Sequence, residues 1–411
     1  MSNPLLQHRS SGVLLHPTSL PSGRLDHAAY AFVDWLFTAG QSWWQILPLG
    51  PPDEHRSPYK AESAFACDPG LLADPDAVVS ESERRAFRAA NAYWIDEWAE
   101  WGGDVDMQVR FAREWGALRS YAAERGVRIL GDLPIYVAEG SADHRAHPEI
   151  FQEGFVAGAP PDAYSADGQH WGNPLYDWPA LQRRGYRWWV QRLRRNLDLH
   201  DAVRVDHFRG FVAYWAIPED HETARFGTWK RGPGAAPFHA MQRALGGELP
   251  LVAEDLGVIT EPVRRLRDGL GLPGMVITEF GFSPGDVDSP HRLDRHVERA
   301  VAYTSTHDNA PLAGWWSSAG NGQRGEVERF AAAAGIGMEE PVWSLIELTL
   351  RSRACAAVVQ AQDVLGLGDE ARMNMPGVEG GNWSWQLEEG QLGAREAERL
   401  RAITRSTGRT G

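Results

Sequence analysis

Cysteine is almost missing from this 411-residue chain. Cys67 and Cys355 stand far apart with no Cys-x-x-Cys spacing, which excludes a disulfide framework, a zinc knuckle and a redox pair and suits a reducing, cytoplasmic setting. Positive charge is in deficit: 41 Lys and Arg against 55 Asp and Glu leave a formal net charge of −14. That balance argues against nucleic acid or an anionic membrane as partner and favours a neutral or cationic one. No run approaches the ~18 apolar residues of a membrane span, and behind Met1-Ser2-Asn3-Pro4 stands only the brief run Val13-Leu14-Leu15, so the chain reads as soluble and unprocessed. A Walker loop, His-Glu-x-x-His and Gly-x-Ser-x-Gly are all missing, which removes phosphate cradling, zinc hydrolysis and serine acylation. Gly269-Leu-Gly271-Leu-Pro-Gly274 spells a dinucleotide fingerprint but precedes a strand instead of following one, so it reads as a turn. His144 and His147 read as surface residues, or as supports behind other groups, rather than a metal pair, so no metal site is anticipated.

What is present is apolar and rich in tryptophan. The hydrophobic fraction is 43%, and Trp occurs 18 times, often in pairs such as Trp43/Trp44, Trp188/Trp189 and Trp315/Trp316. An indole ring suits the face of a pyranose. Neighbouring residues point in different directions, so most of these rings are assigned to the core. Eight short apolar runs recur: Val13 to Leu15, Trp44 to Leu47, Val127 to Leu130, Ala202 to Val205, Leu249 to Ala253, Met275 to Thr278, Ala300 to Thr304 and Ala356 to Val359. Continuous rather than alternating apolar character marks strands buried on both faces of a parallel sheet. Helix-length stretches separate most of them: Ala28 to Thr38, a capping box at Ser80-x-x-Glu83, and Thr260-Glu261-Pro262 ahead of another helix. The pattern predicts an α/β fold, a (β/α)8 TIM barrel with insertions after strands 2 and 3, forming one catalytic unit over residues 1–411. Residues 49–126 form an inserted helical subdomain, and 138–201 an inserted loop and helix region covering the cleft.

Three carboxylates fall at or just beyond strand ends, where such barrels build their active face: Asp206, Glu254 and Asp308. Arg204, two residues before Asp206, shares its side of the strand and favours an ionised, oriented carboxylate, as a nucleophile requires. Glu254 is then the group that must hold its proton, which takes burial or negative neighbours, and Asp308 supplies part of that field. Acids at strand ends also cap helices or join ion networks. Three together, one with a same-face arginine, point to a retaining glycosidase-like site, whose two carboxyl groups stand about 5 to 5.5 Å apart.

At this level of detail the chain resembles the amylomaltases, the 4-α-glucanotransferases of glycoside hydrolase family 77. The resemblance rests on Ser11-Gly-Val-Leu-Leu-His-Pro-Thr-Ser-Leu-Pro21, Trp44-Gln-Ile-Leu-Pro-Leu-Gly-Pro51, Ser57-Pro-Tyr59, Gly131-Asp-Leu-Pro-Ile135, Gly158-Ala-Pro-Pro-Asp162, Gly168-Gln-His-Trp-Gly-Asn-Pro174, Arg204-Val-Asp-His-Phe-Arg-Gly210, Ala253-Glu-Asp-Leu-Gly257, Thr306-His-Asp-Asn309 and Gly381-Asn-Trp-Ser-Trp385. It implies Asp206 as nucleophile, Glu254 as acid/base and Asp308 as the carboxylate that steadies the distorted sugar. Arg204 and His307 contact that sugar, Tyr59 stacks on it, and Gln169 and Trp171 belong to the loop closing over the glucan. The implied reaction passes an α-1,4-glucanosyl piece between maltodextrins, α-1,4-glucan oligosaccharides serving as donor and acceptor, without a cofactor. A glucan hydrolase and a catalytically silent glucan-binding barrel are the alternatives. Three departures stand out. The connection after Cys67-Asp68-Pro69 is much shorter than in typical members. The closing loop reads Pro161-Asp162-Ala163-Tyr164, where many relatives carry an aromatic directly after the aspartate. Ala310 follows Asn309, where an acid is common.

Overall fold

A computed structural model describes residues 3–161, 165–378 and 380–410. Twelve strands are formed among them: β1 (Ser10–Leu14), β2 (Trp43–Gln45), β3 (Arg128–Leu133), β4 (Phe151–Ala159), β5 (Gln169–Tyr176), β6 (Ala202–Val205), β7 (Ala213–Pro218), β8 (Thr228–Arg231), β9 (Leu251–Ala253), β10 (Gly274–Ile277), β11 (Ala300–Tyr303) and β12 (Ala356–Gln360). Eight of them make one sheet in the order β10-β11-β12-β1-β2-β3-β6-β9, and each of the eight apolar runs read from the sequence supplies one. The pairings are parallel, β1 lying between β12 and β2. Every residue of β1, β6, β9, β10, β11 and β12 is buried, the condition that demands apolar runs. Gly12 on β1 faces Trp43 on β2. A Cβ there would lie 2.4 Å from the Trp43 carbonyl oxygen, so only glycine lets the two strands pair at this point.

The chain divides into two compact units. The first comprises Pro48–Gly116 and Gly131–Leu272; the second comprises Asn3–Leu47, Ala117–Leu130 and Pro273–Gly411. In the first, helices at Glu81–Ala90, Ile95–Trp101 and Val105–Glu124, the last running on into the second unit, fill the connection after β2. The Ser80/Glu83 capping box closes as anticipated, Ser80 Oγ accepting from the Glu83 N–H and Glu83 from the Ser80 N–H. The first unit also holds a four-stranded antiparallel sheet, β5-β4-β7-β8, which periodicity did not disclose. Register shifts between Phe151, Val156 and Gly158 break its alternation, so β4 carries no regular period of two. Indoles do fill the core: Trp44, Trp94, Trp115 and Trp189 are wholly buried, and Trp188 meets Trp189 edge to face at 5.8 Å. In the second unit, Asp26 caps helix His27–Thr38 by accepting from the Ala28 N–H. Among the described residues no helix is long and apolar enough to cross a membrane.

Candidate active site

The first unit brings most of the singled-out residues together around one arginine. Arg204, buried on β6, forks: Nη1 donates to both carboxylate oxygens of Asp132 at 2.8 and 2.7 Å, and Nη2 donates to Asp206 Oδ1 at 2.8 Å. The same-face placement of Arg204 and Asp206 thus holds. Asp132, at the end of β3, has a fully buried side chain and also accepts from the Tyr59 hydroxyl at 2.7 Å. Burial opposes the Arg204 charge, but Asp132 and Asp206 outweigh it and push its pKa well above the ordinary value. Asp132 is a residue the sequence reading left without a role. Its signal was a carboxylate two residues beyond the apolar run Val127 to Leu130. The Tyr59 segment is held by Arg195, whose Nε donates to the Phe65 carbonyl at 2.9 Å.

Glu254 follows β9, and both its oxygens are occupied. Oε1 accepts from the Leu256 N–H at 2.8 Å and Oε2 from the His207 N–H at 2.7 Å. The second donor belongs to the peptide that joins His207 to Asp206, so a single peptide unit couples the two carboxylates. Burial pushes the Glu254 carboxyl up to about 8; the Arg204 charge opposes this and the Asp206 charge adds to it. Its neighbour Asp255 takes a different partner, accepting from Arg267 Nη1 at 2.5 Å.

His207 lies in the left-handed region at φ 47° and ψ 48°, a conformation that costs a non-glycine residue on the order of 1 kcal/mol. This turn aims its N–H at Glu254 and its ring at Trp171, which meets it edge to face at 4.8 Å. Burial pushes the imidazole down to about 4 against the pull of Asp206, so it is neutral near pH 7. Trp171 Nε1 donates to Gln169 Oε1 at 3.1 Å, placing both residues of the anticipated closing loop on β5. Asp162, Ala163 and Tyr164, the middle of that loop, lie outside the described residues.

His307 and Asp308 belong to the second unit, just beyond β11. Asp308 Oδ1 accepts from Asn374 Nδ2 at 2.6 Å, and the Asp308 carbonyl accepts from Arg372 Nη2 at 2.5 Å. The Asn374 N–H donates to the His307 carbonyl at 3.1 Å, so this short segment clamps the turn at both residues. His307 Nε2 stands 3.4 Å from Asp308 Oδ2, and its ring lies 6.0 Å from that of Trp383. Arg372 and Asn374 carried no spacing or motif that marked them. His16 accepts from the Leu47 N–H through Nδ1, and burial pushes its ring down to about 3 with a further push from His307.

A carboxylate paired with an arginine beside a second, buried carboxyl pushed toward its acid form is a combination of the kind that retaining glycosidases carry. The comparisons with known proteins bear on that class directly. The family model described as 4-alpha-glucanotransferase, of glycoside hydrolase family 77, matches residues 14–106 and 104–391. A 4-alpha-glucanotransferase of Thermus thermophilus is 39% identical over 497 aligned positions, covering 98% of this chain and 99% of that protein. One from Synechocystis is 36% identical over 98% of this chain and 99% of its own length. Among solved structures, the Streptococcus agalactiae amylomaltase in complex with acarbose matches with a TM-score of 0.91 and 30% identity, over 98% of this chain and 100% of that one. The fold is a (β/α)8 barrel. The chain belongs to the 4-alpha-glucanotransferase family.

Proposed function

We propose that the protein moves α-1,4-glucanosyl segments between maltodextrins by double displacement, with Asp206 as nucleophile, Glu254 as acid/base and Asp308 as the group that steadies the distorted sugar. Asp206 attacks the anomeric carbon while Glu254 gives its proton to the departing glycosidic oxygen. The covalent glucosyl-enzyme is then resolved when Glu254, now ionised, takes the proton of an acceptor 4-hydroxyl. The observation that carries this reading is the coupling of the two carboxylates. Arg204 holds Asp206 by one N–H, and the peptide beginning at Asp206 holds Glu254 by another. A proton on Glu254 can leave toward the substrate while both backbone donors stay engaged with oxygen lone pairs.

Tyr59, fixed through Asp132, is assigned to stacking on the sugar beside the scissile bond, with Arg204 and His307 as its contacts. Gln169 and Trp171 line the closing loop, and Trp171 braces the His207 ring. The location assigned is the cytoplasm. The family match falls into two pieces meeting near residue 105, which supports a shortened insertion over 49–126. A thinner wall excludes water less well, so hydrolysis relative to transfer exceeds that of the Thermus thermophilus relative. Chromatography of products from maltotriose tests both statements. Glucose together with a ladder of longer glucans is the expected pattern. Shorter sugars alone would replace the transferase by a hydrolase, and a hydrolysis share no higher than that of the relative would remove the thin-wall argument.

A further inference from the structure

Beyond the catalytic carboxylates, the first unit displays an aromatic surface that the reaction chemistry leaves unused. Trp229 on β8 is 43% exposed and Phe226, at the head of that strand, is 67% exposed. Trp229 sits opposite Trp215 of β7, the rings meeting edge to face at 5.2 Å. Trp215 spends its N–H on the Ala224 carbonyl at 2.8 Å, whereas Trp229 Nε1 makes no hydrogen bond among the described residues. The strand is seated with care on the turn that follows Asp206. Gly232 donates to the Val212 carbonyl and Gly234 to the Phe211 carbonyl, both at 2.8 Å. A Cβ on Gly232 would lie 2.4 Å from the Phe211 oxygen. From this same turn Arg209 lays its guanidinium over the Trp229 ring at 4.0 Å and donates to the carbonyl of Val258, four residues beyond Glu254.

The exposed indole is therefore fastened to the loop of the nucleophile and, through one arginine, to the loop of the acid/base. A merely structural tryptophan at this place would gain by burying its face and bonding its N–H. An apolar ring with a free edge donor and a neighbouring guanidinium is instead matched to a neutral, hydroxyl-rich sugar ring, and continuity with both catalytic loops identifies which sugar reaches it. On the glucan-transfer reading above, we infer that Trp229, with Arg209 beneath it, forms an outer binding platform for α-1,4-glucan chains long enough to extend past the sugars at the scissile bond.

The test compares W229A with the wild-type protein on maltotriose and on maltoheptaose, by initial rates and by calorimetric titration of each sugar into D206N and D206N/W229A. The expected result is a rise of about fivefold to tenfold in KM and Kd for maltoheptaose, several-fold larger than the rise for maltotriose, with W229F restoring most of the loss. An equal loss on both sugars would make Trp229 a brace of the catalytic turn and overturn the inference, as would no change on either. Should W229A fail to fold, W229L keeps an apolar side chain under Arg209, and the same comparison of the two sugars decides. Wild-type protein that binds or turns over neither sugar would instead defeat the transferase reading itself.

Discussion

The proton on Glu254 offers the sharpest quantitative test. A carboxyl pushed from its ordinary 4.5 to about 8 favours the acid form by on the order of 3–5 kcal/mol, after discounting for the part of the side chain that solvent reaches. Two consequences follow with definite sign. First, the free enzyme holds its acid protonated at pH 7, so kcat/KM for maltotriose falls tenfold per pH unit above about 8. Second, the folded state binds a proton between about pH 4.5 and 8 that the unfolded chain releases. This contribution to stability is present below 4.5 and is lost, at about 1.4 kcal/mol per pH unit, as pH rises toward 8. Substituting Glu254→Gln removes that slope along with the activity. The Asp206 charge helps to raise Glu254, so Asp206→Asn lowers the titration midpoint of Glu254, readable by carbon NMR of labelled glutamate. A basic limb lying below pH 6, or a Glu254 midpoint that does not fall in the Asp206→Asn protein, would refute the assignment of the acid.

Three further outcomes are expected. Asp206→Ala lowers both transfer and hydrolysis by at least about 10⁴-fold with an unchanged circular dichroism spectrum; retained transfer would remove the nucleophile assignment. Asp132→Asn leaves Arg204 with Asp206 as its one ionic partner and costs about 1–3 kcal/mol of stability in denaturant titration, with a fall in kcat; an unaltered denaturation midpoint would show that the fork is dispensable. Asn374→Ala frees Asp308 Oδ1 and lowers kcat about 10-fold to 100-fold with a smaller change in KM, and a pure KM effect would count against a transition-state role for Asp308.

The eight strands were legible because burial on both faces leaves a mark in one dimension: each needs a run of apolar residues, whatever its neighbours. Position at a strand end then singled out Asp206, Glu254 and Asp308, and the spacing of two placed Arg204 on the side of Asp206. The antiparallel sheet β5-β4-β7-β8 left no such mark, since bulges disturb its alternation and β8 has no buried residue on either face to set a period of two. Asp132 and Asn374 were invisible as partners for another reason. Asp132 is 72 residues from Arg204, and Asn374 is 66 from Asp308. No local period records a hydrogen bond of that span.

Sequence alone therefore determined where the strands run and which acids stand at their ends, because periodicity and burial are local demands on composition. The tertiary structure decided that Glu254 keeps its proton. Burial, the Arg204 fork and the His207 amide reach Glu254 and Asp206 only after distant segments pack, and the charge state of a carboxyl is set by that assembled surrounding.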